Sequence, residues 1–339
     1  MDILYSPLSF LISLYEDEDP IQLVHNLHRS QLCLFLFFCG PSLLQQQKCI
    51  SKPAPSCSQQ PPSQPPKQPR VKRGLVFVPN PKHPTDNQIW VEGASDLTWY
   101  YNYATAPSPA YQNRTQSDFE YVPMLFSPSS TFQSEIETLI TNGRNISHVM
   151  TYNEPDGGSS TGGSSVSPVD AATNWIAQVE PLRAKGVKTG APAVTGGEGG
   201  FTWLKSFFAA CQSQGTNCTA DFIPIHWYGN FAGLASHIGE VVGTYPNTSI
   251  WITEYALNNA TLPETQDFYN TSAQYYDRLD YVDRYSYFGS FRSDVSNVGP
   301  NAAMLNNKGE LTDIGSWYLG RKATGNKPGG SGAGRTVQI

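Results

Sequence analysis

Two glutamates carry the chemistry that this sequence can be expected to do. Glu154 follows the apolar run Ser147–Asn153 and precedes the breaker Pro155-Asp156-Gly157-Gly158. Glu254 ends a second apolar run, Ser249–Thr253, and is followed by Tyr255-Ala256. Each pattern is a buried strand handing over to a loop, which is where rigid scaffolds present reactive groups. Two carboxyls facing across one cleft can hydrolyse a glycoside, one as acid/base and the other as nucleophile. Glu154, crowded by aromatics and near a second carboxylate, is the acid/base expected to keep its proton to higher pH. Glu254 is the expected nucleophile, with the Tyr228 hydroxyl holding it ionised and oriented. Asn153 would bind the 2-hydroxyl of the sugar, and His226 would be a hydrogen-bonding wall residue.

For these residues to meet, the chain must bring distant strand ends together. The two glutamates are 100 residues apart, about three βα units of roughly 31 residues each in a (β/α)8 barrel. Strands 4 and 7 of one TIM barrel satisfy that spacing. Eight apolar runs are read as strands, beginning at Gly74, Trp99, Tyr121, Ser147, Val187, Phe222, Ile250 and Tyr285. Between them, Trp203, Leu204, Phe207 and Phe208 share one helical face, as do Trp175, Ile176, Val179 and Leu182. Ile136, Leu139 and Ile140 form a third face before the stop Asn142-Gly143. Alternating strands and helices predict a parallel sheet of α/β class. No Gly-x-Gly-x-x-Gly follows the first strand, so an open dinucleotide-binding sheet is the weaker alternative.

Other acids read differently. Asp156 caps its loop, Asp170 opens a helix, and Glu198 sits in a glycine-rich loop too flexible to position a reactive group. His148 begins a strand and so faces the wrong end of a barrel. No metal-ligand cluster or Ser-His-Asp spacing stands out, and no cofactor is expected. Cys211 and Cys218 lie seven apart around a polar turn, spaced for a loop disulfide and not for zinc.

The net charge of −6 provides no basic footprint for nucleic acid. Aromatic residues make up 12% of the chain, useful both for a core and for stacking sugars. Sequons at Asn113, Asn145, Asn217, Asn247, Asn259 and Asn270 lean towards a secreted glycoprotein. Residues 1–51 do not read as folded. Leu32–Cys39 is too short to span a bilayer and, behind Arg29, has the length of a signal-peptide core, although the long acidic lead through Glu16–Asp19 does not fit. Residues 52–72 read as a Pro-rich linker, 73–323 as the catalytic barrel and 324–339 as a Gly-rich flexible tail.

Asn153-Glu154-Pro155-Asp156, His226-Trp227-Tyr228 and Thr253-Glu254-Tyr255-Ala256 resemble glycoside hydrolase family 128, the alkali-sensitive-linkage-like glycosyl hydrolase catalytic core. Phe201–Leu204, and Cys218–Phe222 with Ala210-Cys211, are similar to its fungal members. The resemblance spans about residues 73–320. It implies a retaining barrel hydrolase of β-1,3-glucan, with Glu154 as acid/base and Glu254 as nucleophile. It also implies that Asn102, Tyr103 and Trp227 line sugar subsites, with Tyr103 standing where many members have Trp. The expected protein is a secreted or wall-associated monomer, probing glucan from within the chain. The alternatives are a barrel hydrolase of β-1,4-mannan or β-1,4-glucan and a non-catalytic glucan-binding wall protein.

Overall fold

The computed structural model describes residues 72–329. The signal-like region 1–51 and the linker up to residue 71 lie outside the described residues, as does the tail beyond 329. In chain order the strands are β1 (Arg73–Val76), β2 (Trp99–Tyr101), β3 (Glu120–Tyr121), β4 (Met124–Leu125), β5 (His148–Asn153), β6 (Lys188–Ala193), β7 (Phe222–Tyr228), β8 (Ser249–Ala256) and β9 (Val282–Tyr287). The helices are α1 (Phe132–Thr141), α2 (Pro168–Gln178), α3 (Glu180–Arg183), α4 (Glu198–Ser213), α5 (Phe231–Thr244), α6 (Leu262–Arg278) and α7 (Asp313–Tyr318).

All pairings are parallel, in the order β3-β2-β1-β9-β8-β7-β6-β5-β4. The extra strand has a simple origin. The third expected strand is interrupted at Val122-Pro123, because proline has no N–H to give the ladder. Its first half, β3, pairs with β2, and its second half, β4, pairs with β5. The Val122 amide donates to the Tyr100 carbonyl at 2.9 Å, while the Pro123 carbonyl accepts from Met150 at 2.9 Å. One broken strand therefore serves both neighbours, and the sheet curls into the barrel.

The helical ring departs from the regular alternation at its start. The β1–β2 and β2–β3 connections carry 3₁₀ turns, Pro84–Gln88 and Pro109–Tyr111, where a regular barrel has α-helices. Prolines at 79, 81, 84, 107 and 109 make longer helices unfavourable there. The second expected helix divides at Val179 into α2 and α3, just ahead of Pro181. Glu198, expected in a flexible loop, is the first residue of α4, a position where its charge complements the helix dipole. Residues 324–329 are tied down past the expected boundary at 323. Thr324 and Asn326 donate to the Leu311 carbonyl, and the Gly329 amide donates to Ser293.

The barrel floor is filled by large rings against small residues. Phe222 stacks on Trp251 with centroids 3.8 Å apart, and Trp99 meets Trp251 at 5.3 Å. Gly190 and Gly74 leave the space that the Phe222 and Trp99 rings occupy. With the floor plugged, the carboxyl ends of the strands form the opposite end, where barrels keep their chemistry.

Candidate active site

The end of β5 solves a geometric problem. On a regular strand Asn153 and Glu154 would point to opposite faces. Here the pairing with β6 shifts register twice, between Val149 and Thr151 and between Thr151 and Asn153. Tyr152 and Glu154 adopt left-handed backbone, with φ of 40° and 39°. Such conformations are strained for residues with a side chain and concentrate where function demands them. They let the Tyr152 hydroxyl turn outward to the Ala171 carbonyl while Asn153 and Glu154 both serve the mouth. The following loop is locked by Asp156, which accepts from the Thr195 amide at 2.9 Å and from its hydroxyl at 2.5 Å.

On β8, Glu254 is 3% exposed and lies level with His226 of β7 as its cross-strand partner. Its Oε2 accepts from the Tyr228 hydroxyl, and its Oε1 from Tyr103 at 2.7 Å and Tyr101 at 3.4 Å. His226 lies between the glutamates, with Nδ1 3.0 Å from Oε1 of Glu154 and Nε2 3.6 Å from Oε1 of Glu254. One oxygen of each glutamate and one His226 nitrogen all fall within 4.8 Å of one another. The strand-end pair expected from the sequence thus meets in one cluster. The cluster is tight enough to enclose a cation; Glu154 Oε1 faces His226 Nδ1, and both Glu254 oxygens accept from tyrosines.

Burial dominates the electrostatics of Glu254 and pushes its carboxyl above the usual range. The His226 ring opposes that rise, Glu154 adds to it, and the Tyr228 and Tyr103 hydroxyls oppose it again. The three surrounding phenols are held well above the ordinary tyrosine range by the same burial, so they remain donors.

Several expected roles change place. Tyr103, expected in a sugar subsite, is buried and spends its hydroxyl on Glu254, with a left-handed φ of 59° re-aiming it. His226, expected on the wall, is 1% exposed and sits between the two glutamates. Asn102 is committed within its loop, donating to the Ala106 carbonyl at 3.1 Å and accepting from Tyr121. Trp227, expected in a sugar subsite, is half-buried on the outward side of β7, where its ring stacks on His237 of α5 at 5.4 Å and its Nε1 donates to the Asn230 carbonyl. Asn153 donates to the Gly162 carbonyl at 3.0 Å, and its buried Oδ1 has no partner. Tyr101 was missed, although residues 99, 101 and 103 share one face by strand alternation, and Trp99 plainly belongs inside.

Cys211 and Cys218 form a disulfide with Cα atoms 5.9 Å apart, closing the turn after α4. Among the described residues, no helix is long and apolar enough to cross a membrane.

Comparison with known proteins adds the lineage. Residues 74–318 match the family described as "Glycosyl hydrolase catalytic core". Alkali-sensitive linkage protein 1 of Schizosaccharomyces pombe is 29% identical over 257 residues, covering 73% of this chain and 44% of that protein. This chain therefore spans less than half the length of that relative. A curdlan-specific exo-β-1,3-glucanase of Blastomyces gilchristii, crystallised with glucose, is 25% identical with a TM-score of 0.58, over 74% of this chain and 99% of its own. An endo-β-1,3-glucanase of Sorangium cellulosum is 25% identical with a TM-score of 0.59, over 75% and 99%. An oligosaccharide-binding protein of Cryptococcus neoformans shares the fold, at 22% identity and a TM-score of 0.57, over 74% and 93%. The chain belongs to the glycosyl hydrolase catalytic core family, glycoside hydrolase family 128.

Proposed function

We propose that this chain is a retaining β-1,3-glucan hydrolase that cleaves within the polymer. The observation that carries the reading is the separation of the two glutamates, whose nearest oxygens lie within 4.8 Å. Retaining hydrolysis needs carboxyls about 5 Å apart, whereas inverting enzymes leave at least about 6.5 Å for a water. Glu254 attacks the anomeric carbon while the departing glycosidic oxygen takes the proton of Glu154. Water then enters, gives its proton to Glu154 and releases the sugar from Glu254. The unpartnered Oδ1 of Asn153 is an acceptor suited to a sugar hydroxyl.

The family also contains binders, as the Cryptococcus protein shows. A purely binding role is less well supported here, since the Tyr103 and Tyr228 hydroxyls both donate to a buried carboxylate set close to a second one, as an attacking group requires. The disulfide supports secretion, where such bonds persist. We place the protein outside the cell, acting on wall glucan as a monomer.

Product analysis on laminarin by NMR tests linkage, cleavage pattern and anomeric outcome together. β-Configured oligosaccharides of mixed length appearing first support the reading. Glucose alone would make it exo-acting, α-products would remove the retaining mechanism, and no product would favour the binder. Turnover on mannan or carboxymethylcellulose but not laminarin would shift the substrate class.

A further inference from the structure

We propose that His226 is a positioning residue that shares a proton with Glu154 and points its other nitrogen at Glu254, so that one imidazole sets the protonation of both glutamates. The inference rests on the hydrolytic reading for its purpose, but its geometry is independent of the substrate. The ring side chain is 0% exposed. Its Nδ1 faces Glu154 Oε1 at 3.0 Å, and its Nε2, without a hydrogen-bond partner, faces Glu254 Oε1 at 3.6 Å. A buried imidazole between two carboxyls is more than packing, because each nitrogen has one acidic group to answer.

Hydrolysis requires Glu154 protonated and Glu254 ionised at the same moment. Three groups, Glu154, His226 and Glu254, must then hold two protons. One fits between Glu154 Oε1 and Nδ1, on either atom, and leaves that pair neutral. The other fits on Nε2, where it faces the Glu254 carboxylate. The 3.6 Å separation exceeds an N–H···O bond by roughly 0.6 Å, a gap that closes with small movements when a site engages its substrate. In the first step the shared proton leaves with the glycosidic oxygen, and in the second the entering water returns one. The Nε2 proton stays in place throughout.

The surroundings agree. Burial disfavours a charged ring, but Glu254, Glu154 and Asp156 outweigh it and hold the His226 proton above the usual histidine range. Glu154 and Asp156 act from the loop after β5 and Glu254 from β8. Tyr228 on β7, with Tyr101 and Tyr103 from the end of β2, faces Glu254 from its other sides.

The decisive measurement needs no turnover. Glutamate carboxyl carbons and His226 ring nitrogens are followed by NMR from pH 3 to 9 in the free protein, and the carbons again in His226→Gln and His226→Phe. The expected result is a proton on Nε2 across this range, with the Glu254 titration moving up by at least about one unit once the ring is lost. In kinetics, the variants should lose about a hundredfold in kcat/KM. The loss should be larger for aryl glucosides with poor leaving groups, which need an acid, than for dinitrophenyl glucosides, which do not. An Nε2 without a proton, or glutamate titrations unchanged in a folded variant, would overturn the proposal and leave His226 a packing residue. If the variants do not fold, the ring nitrogens of the unaltered protein still decide. An inactive wild type would end the hydrolytic reading while leaving the titration result standing.

Discussion

At the scale of single residues, Glu254 must shed a proton that its burial encourages it to keep. Its working form is the carboxylate, and its affinity for the proton is raised, so kcat/KM should fall as pH drops through a value above the ordinary glutamate range. Tyr228→Phe removes a donor to the ionised carboxylate, so this acid limb should move to still higher pH, read from pH profiles on laminarin. A limb at or below ordinary glutamate values in both proteins would contradict this electrostatic account. Glu254→Ala and Glu154→Gln should each lose at least about a thousandfold in rate, with thermal melts excluding unfolding. Near-full activity in either would end the assignment. Both glutamates were legible because each ends an apolar run, Glu154 directly before the breaker Pro155-Asp156-Gly157-Gly158. The His226 contacts were not, since they depend on a register shift between Ile225 and His226 that no local pattern announces.

At the scale of elements, the β5 terminus and its loop aim Glu154, and glycine makes the loop possible. A Cβ on Gly163 would stand 2.6 Å from the Gly157 backbone and 2.7 Å from the Glu154 carbonyl. Gly163→Ala must therefore push the acid/base loop aside. A displacement near 1 Å costs on the order of a hundredfold in rate, so kcat should drop while the melting temperature changes far less. Equal losses in both would mean that the loop holds the fold and not the acid. The disulfide after α4 belongs to this scale too. Closing a separation of seven residues should contribute about 2.5 kcal/mol, so Cys211→Ser with Cys218→Ser should melt earlier by roughly 5 °C or more, without changing kcat. The strands and the helices α1, α2 and α4 were readable from periodicity, whereas α5, α6 and α7 were not singled out. The missing helices after β1 and β2 were not, because prolines scattered through a long connection mark a break without saying what replaces the helix.

At the scale of the whole molecule, the barrel is held shut at the end opposite its chemistry. Glu120 of β3, His148 of β5 and Arg284 of β9 meet at the floor. His148 Nδ1 lies 2.9 Å from Glu120 Oε1, and Arg284 donates to Oε2 at 2.7 Å while its guanidinium lies 4.2 Å from the centre of the Trp251 ring. Burial works against a charged Glu120, but the His148 hydrogen bond and Arg284 outweigh it and hold the carboxyl at about 2. A folded-state value depressed below the unfolded one stabilises the fold above the unfolded pKa, and that contribution disappears as pH falls towards the folded one. From about 4.5 to about 2 the barrel should therefore lose roughly 3 kcal/mol from this group. Glu120→Gln should melt earlier near pH 7, because it leaves Arg284 without its charge partner, and its melting temperature should fall less steeply below pH 4.5 than that of the wild type. Parallel melting curves for the two proteins across that range would show that the floor network does not close the barrel. Hydrolysis at pH 7 should persist in the folded variant, and its loss there would show that floor and mouth are coupled.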